Sequence, residues 1–168
     1  GNNLASTNPG SGTINQTGGT INLTATQAVN LINTRLDAGS GNEGRLVPAG
    51  SILINGGELF TVQQSIVSAE ATLGGRILVQ ACNISLTDSQ FITSTGGGNP
   101  ATTAGQITLG AKTITLTNGQ ILSSAYGGSG GTIDITTSVL RRNVSSVIDA
   151  SSTLGTDGTV TINGAIQP

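Results

Sequence analysis

The 168-residue chain has no histidine, methionine or tryptophan and a single cysteine. Aromatic residues make up 2% of it and charged residues 8%, for a net charge of −2. These absences exclude whole classes of function. With no His and only Cys82, the chain lacks the ligand set of a zinc site, and no intramolecular disulfide can form. Its only basic pair is Arg141-Arg142, so it carries no electrostatic footprint for nucleic acid or for an anionic membrane. No apolar run approaches the roughly 18 residues of a membrane helix, and no membrane insertion is expected. The sequence starts at Gly1 without a basic-plus-apolar leader and is expected to be a mature or excised piece of a longer protein. Cys82, flanked by Ala81 and Asn83-Ile84, is expected to be a buried structural thiol.

What is present is glycine, 26 residues of it, and Ile, Leu and Val set among Thr, Ser and Asn. This composition suits many short strands joined by tight turns. The strands repeat. Gly19, Gly50, Gly75, Gly105, Gly131 and Gly158 stand 31, 25, 30, 26 and 27 residues apart. Two and four positions after each is an apolar residue: Ile21/Leu23, Ile52/Ile54, Ile77/Val79, Ile107/Leu109, Ile133/Ile135 and Val160/Ile162. That alternation is the period of a strand with one face buried. A second strand is clearest at Ile84/Leu86 and Ile114/Leu116, and less regular at Val29/Leu31, Leu59–Val62 and Val139/Leu140. For the third strand, fixed offsets of 17 and 19 from the glycine select Leu36/Ala38, Val67/Ala69, Ile92/Ser94, Leu122/Ser124 and Ile148/Ala150. The polar column between them, Asp37, Ser68, Thr93, Ser123 and Asp149, is expected to face water.

A three-strand unit of about 27 residues cannot bury its own apolar face, whereas stacked copies can. The expected fold is therefore all-β, a parallel β-helix (solenoid) of about six three-strand coils. Residues 1–18 form an N-terminal arm and partial first coil, 19–163 the helix, and 164–168 a C-terminal tail.

The stretch Gly105-Gln-Ile107-Thr-Leu109, with Ile114-Thr-Leu116-Thr-Asn118-Gly-Gln-Ile121-Leu-Ser-Ser124, resembles the repeats of filamentous-haemagglutinin-type bacterial exoproteins. The closing Ala150-Ser-Ser-Thr-Leu154-Gly-Thr-Asp157-Gly-Thr-Val160-Thr-Ile162-Asn is similar to repeat ends in large surface proteins of that type. The resemblance implies the right hand of the helix, secretion to the cell surface, and a role in adhesion or surface structure. Of the motifs in that family's secretion domain, only Asn8-Pro9-Gly10 has a partial counterpart.

Catalytic readings find little support in the residue pattern. Glycoside hydrolysis needs two carboxylates roughly 5–9.5 Å apart. The acids are Asp37, Glu43, Glu58, Glu70, Asp88, Asp134, Asp149 and Asp157, and no column carries one on adjacent coils. Asp37 and Asp149 share a column four coils apart. Gly127–Asp134 resembles a calcium-binding nonapeptide but occurs once, and turn geometry accounts for its glycines. The sequons at Asn15, Asn22, Asn83 and Asn143 are expected by chance in so Asn-, Ser- and Thr-rich a chain.

One apolar column stands out. Ile66, Phe91, Ile121 and Val147 all lie at offset 16 on consecutive coils. Strict alternation puts them outside as an association stripe; a corner bulge turns them into the core. The exposure of Phe91 decides between the two.

The sequence thus points to a non-enzymatic extracellular structural protein, a surface or matrix fibre subunit with no cofactor, no catalytic residues and no metal. Its expected partner is itself, by head-to-tail stacking, with other cell-surface or matrix components besides. Two alternatives stand beside this: a stalk segment of a large secreted filamentous adhesin, and a polysaccharide-active β-helix enzyme.

Overall fold

A computed structural model describes residues 18–40 and 46–168 in full, and the backbone of strands β1 (Asn2–Leu4) and β2 (Gly10–Asn15). All its elements are strands, every pairing between them is parallel, and among the described residues there is no helix. The chain is a β-solenoid. Each turn runs through three faces and lies in register on the turn before it.

On the first face stand β1, β3 (Thr20–Thr24), β5 (Ser51–Asn55) and β8 (Arg76–Gln80), followed by the leading halves of β11 (Gln106–Thr117), β13 (Thr132–Arg142) and β15 (Thr159–Gln167). The expected register holds along this face. Ile21, Ile52, Ile77, Ile107, Ile133 and Val160 form one column, and Leu23, Ile54, Val79, Leu109, Ile135 and Ile162 another. The first five members of each column are buried.

The second face is built by the leading half of β4 (Ala28–Asp37), β6 (Leu59–Gln63), β9 (Asn83–Thr87) and the trailing halves of β11, β13 and β15. The irregular second strands resolve here: Val29, Phe60, Ile84, Ile114 and Leu140 share one inward column, while Leu59 turns outward. The third face carries β2, the end of β4, β7 (Ile66–Ser68), β10 (Gln90–Ile92), β12 (Gln120–Leu122) and β14 (Val147–Asp149). Five complete turns result, from β3 to β14, with partial turns from β1 and β2 at one end and β15 at the other. Residues 164–168, expected as a tail, continue β15 as far as Gln167. Part of the expected arm pairs as β1 and β2, whereas 1, 5–9, 16–17 and 41–45, Glu43 included, lie outside the described residues.

The third face corrects the fixed-offset reading. Leu36, Val67, Phe91, Ile121 and Ile148 form its inward column, followed inward by Ala38, Ala69, Thr93, Ser123 and Ala150. Thr93 and Ser123, expected in water, are therefore in the core, where Thr93 Oγ1 donates to Ser123 Oγ (2.9 Å) and Ser123 Oγ donates to the Gly105 carbonyl (2.7 Å). Ile92 and Leu122, expected inside, stand in the outward column with Asp37, Ser68 and Asp149, where Ser68, expected in water, is buried all the same beneath Glu70, to which it donates. The cause is a one-residue difference at the corners. From β3 to β4 and from β5 to β6 the register advances by 8 residues, against 7 from β8 to β9 and within β11. The fifth turn adds its extra residue one corner later, near Val144.

The apolar stripe fails for the same reason. Phe91 and Ile121 belong to the inward column and are wholly buried, with the Phe91 ring 6.2 Å from that of Phe60. Ile66 and Val147 belong to the neighbouring outward column, which they share with Gln90 and Gln120. The four stand on the third face but in two columns, one turned inward and one outward.

The glycines that mark each turn sit at its seam. The N–H groups of Gly50, Gly75, Gly105, Gly131 and Gly158 donate to Ala38, Ala69, Thr93, Ser123 and Ala150 at 2.7–2.9 Å. Each such bond closes the neck of the bend between a third strand and the next first strand. The carbonyls of Gly19, Gly50, Gly75, Gly105 and Gly131 accept from the next turn, as in Gln106 N–H to Gly75 O (2.9 Å) and Thr132 N–H to Gly105 O (3.0 Å). A Cβ on Gly105 would overlap the Gly75 carbonyl oxygen, and one on Gly131 that of Gly105. The Gly105→Ala variant is therefore expected to lose at least about 2–3 kcal/mol of stability in urea unfolding. Gly96→Ala, with nothing within 4 Å of its Cβ, is expected to be neutral or up to about 1 kcal/mol more stable. Equal effects of the two would contradict this packing.

Candidate functional site

Between the second and third faces the chain turns through a residue in the left-handed region: Asn33 (φ 49°), Gln64 (φ 48°), Asp88 (φ 48°) and Asn118 (φ 52°). Asn and Asp tolerate this conformation because a short polar side chain can bond locally; glutamine is the outlier. The next residue is Thr34, Ser65, Ser89 or Gly119, and the hydroxyls among these turn inward and serve the backbone. Ser65 Oγ donates to the Gln63 carbonyl (2.6 Å) and accepts the Thr34 N–H (3.0 Å). Ser89 Oγ likewise donates to the Thr87 carbonyl (2.7 Å) and accepts the Ser65 N–H (3.2 Å). Ser146 Oγ accepts the Gly119 N–H at 3.2 Å. Buried donors at a tight corner are thus satisfied by the turn above.

Outside this corner lies an open groove of about 450 Å³, lined by Gln64, Ser65, Ile66, Asp88, Ser89, Gln90, Asn118 and Gln120. It crosses three turns. Its two walls are side-chain ladders along the solenoid axis. On one, Asn118 Nδ2 donates to Asp88 Oδ1 (2.9 Å), and Asn143 Nδ2 donates to Asn118 Oδ1 (2.8 Å). On the other, Gln90 Nε2 donates to Gln120 Oε1 (2.9 Å). Asp88 is the only charged residue of the lining.

The other described carboxylates are dispersed, and most hold turns or neighbours. Asp37 pairs with Arg35 (2.7 Å) and caps the Gly39 N–H (2.8 Å). Glu70 accepts from Ser68 (2.9 Å), Asp149 from the Ser151 N–H (3.1 Å) and Asp157 from the Ser152 N–H (2.7 Å). Asp134, in β13, accepts a long bond from Gln106 (3.4 Å). Register confirms that Asp37 and Asp149 share a column four turns apart. No group of three His, Cys, Asp or Glu side chains gathers among the described residues.

Cys82 is exposed rather than buried. With Ala81 it occupies the corner between β8 and β9 instead of a strand position, beside Lys112 of the next turn in a second shallow concavity of about 480 Å³. Sequence reasoning missed the amide-lined groove. Its signal was there as Asn33-Thr34, Gln64-Ser65, Asp88-Ser89 and Asn118-Gly119, an amide or carboxylate residue followed by a small one.

Compared with known proteins, the chain matches no family model, no curated protein and no solved structure.

Gln64 carries the αL strain without the short side chain that relieves it. Replacing it by Asn is expected to raise stability by about 0.5–1 kcal/mol in thermal unfolding. A destabilised Gln64→Asn variant would mean that the longer amide is itself structural.

Proposed function

We propose that the chain is a non-catalytic structural segment of an extracellular filament, a surface or matrix subunit that extends by stacking one solenoid on the next. The observation that carries this reading is β15. Its nine residues, Thr-Val-Thr-Ile-Asn-Gly-Ala-Ile-Gln, bear no charge, and their outer edge has no partner strand among the described residues. Val160 and Ile166, which continue two inward columns, are 41% and 58% exposed. A long, uncharged strand edge with apolar side chains on the core side is a template for another parallel strand. In a homopolymer, that strand belongs to the next copy.

The extracellular setting follows from the resemblance of the repeats to filamentous-haemagglutinin-type exoproteins. That resemblance also supports a second reading, in which the strand on β15 is a further coil of a longer adhesin and the segment is its stalk. The dispersal of the described carboxylates favours both readings over a polysaccharide-cleaving enzyme.

Electron microscopy of the cell-derived protein separates these cases. Stacking of copies predicts fibres with an axial repeat that is a multiple of about 4.8 Å. Rods of one fixed length would favour the stalk, and short dispersed particles would contradict both.

A further inference from the structure

The groove at the second corner has a use that stacking does not require. From its geometry we infer that it binds an extended, neutral polysaccharide chain lying along the solenoid axis. The inference does not depend on the filament reading, because the groove is complete within one chain.

The groove is built of planar polar groups held in place before any ligand arrives. Gln90 spends one amide N–H on Gln120, which leaves its own carbonyl oxygen, its second N–H and both N–H groups of Gln120 for other partners. Asn118 spends one N–H on Asp88 and its oxygen on Asn143, which leaves one N–H, while the second oxygen of Asp88 remains an acceptor. Gln64 adds an exposed amide at the edge. Donors and acceptors thus alternate on two walls, and mutual hydrogen bonds have already removed part of the rotamer freedom that binding would otherwise cost.

Three features select the ligand class. Sugar hydroxyls act as donor and acceptor at once and so match such a mixed array, with amides and a carboxylate able to bridge adjacent hydroxyls. The lining holds no Lys or Arg and one carboxylate, which disfavours sulfated or uronic chains. Ile66 is the only aliphatic side chain in the lining, too little apolar surface for a lipid tail or an amphipathic helix. Spacing completes the case. The wall residues repeat once per turn, roughly 4.8 Å apart, which is close to the advance of one sugar in an extended chain.

The test is titration of the isotope-labelled chain with cellohexaose and mannohexaose, read from side-chain amide resonances, with a hyaluronan hexasaccharide as the acidic comparison. Expected are saturable shifts at Gln64, Gln90, Asn118 and Gln120 with one of the neutral probes, at a Kd of about 1 mM or tighter. Gln90→Ala combined with Gln120→Ala should weaken binding about tenfold or more, since it removes one wall. Both positions stand in an outward column, so the urea midpoint should hold; should that variant fail to fold, Gln64→Ala at the exposed edge is expected to weaken binding measurably. No shift with either neutral probe at about 10 mM, shifts centred elsewhere, or equal binding of the acidic hexasaccharide would overturn the inference.

Discussion

The structure depends on the approach of one glycine to the carbonyl of another. At Gly50, Gly75, Gly105, Gly131 and Gly158, the Cα of the seam glycine lies where any side chain would collide with the glycine one turn earlier. That contact sets the first strand of each turn directly on the one before it. The same residue closes its bend through its N–H. Because the neck is fixed, what hangs beyond it is free to vary: 11 residues separate Ala38 from Gly50 and Thr93 from Gly105, whereas 5 separate Ala69 from Gly75. Length variation collects in these bends while the strands stay in register, as expected where loops vary over a rigid scaffold.

The other corners solve a different problem. Turning a parallel strand sharply leaves backbone N–H groups facing inward, where an unpaired donor costs about 1–3 kcal/mol. Inward hydroxyls of Ser65, Ser89 and Ser146 take up these donors, each serving the preceding turn. Outside, the αL residues point their amides and carboxylates into a common groove. The device that completes the corner thereby also presents a row of polar groups at strand spacing. The repeat sets equivalent side chains side by side, one per turn.

How much of this was legible in the sequence follows from where the period is strict. The inward residues of the first strand always lie two and four positions beyond a seam glycine, so these columns could be read directly. The third strand follows two corners, and an extra residue at either shifts it by one. A one-residue shift exchanges inside for outside. That is why Thr93 and Ser123 looked solvated, why Ile92 and Leu122 looked buried, and why Ile66, Phe91, Ile121 and Val147 resembled a stripe. Cys82 looked buried because Ala81 and Ile84 stand close by, yet a corner residue does not alternate with the strand beside it. The groove was invisible because its walls join residues 25 or 30 positions apart, a pairing that exists only once the register is known.

The seam is the claim on which the rest stands, and amide hydrogen exchange of the native chain tests it most directly. The N–H groups of Gly75, Gly105 and Gly131 border exposed bends, but each is held by a neck bond within a stack of parallel strands. The account predicts exchange as slow as that of Ile107 and Ile133 in the strands beside them, with Gly97 and Gly98 in the bend exchanging fast. Fast exchange at the seam glycines, at the rate of the bend, would show that the necks open independently of the coil and would contradict it.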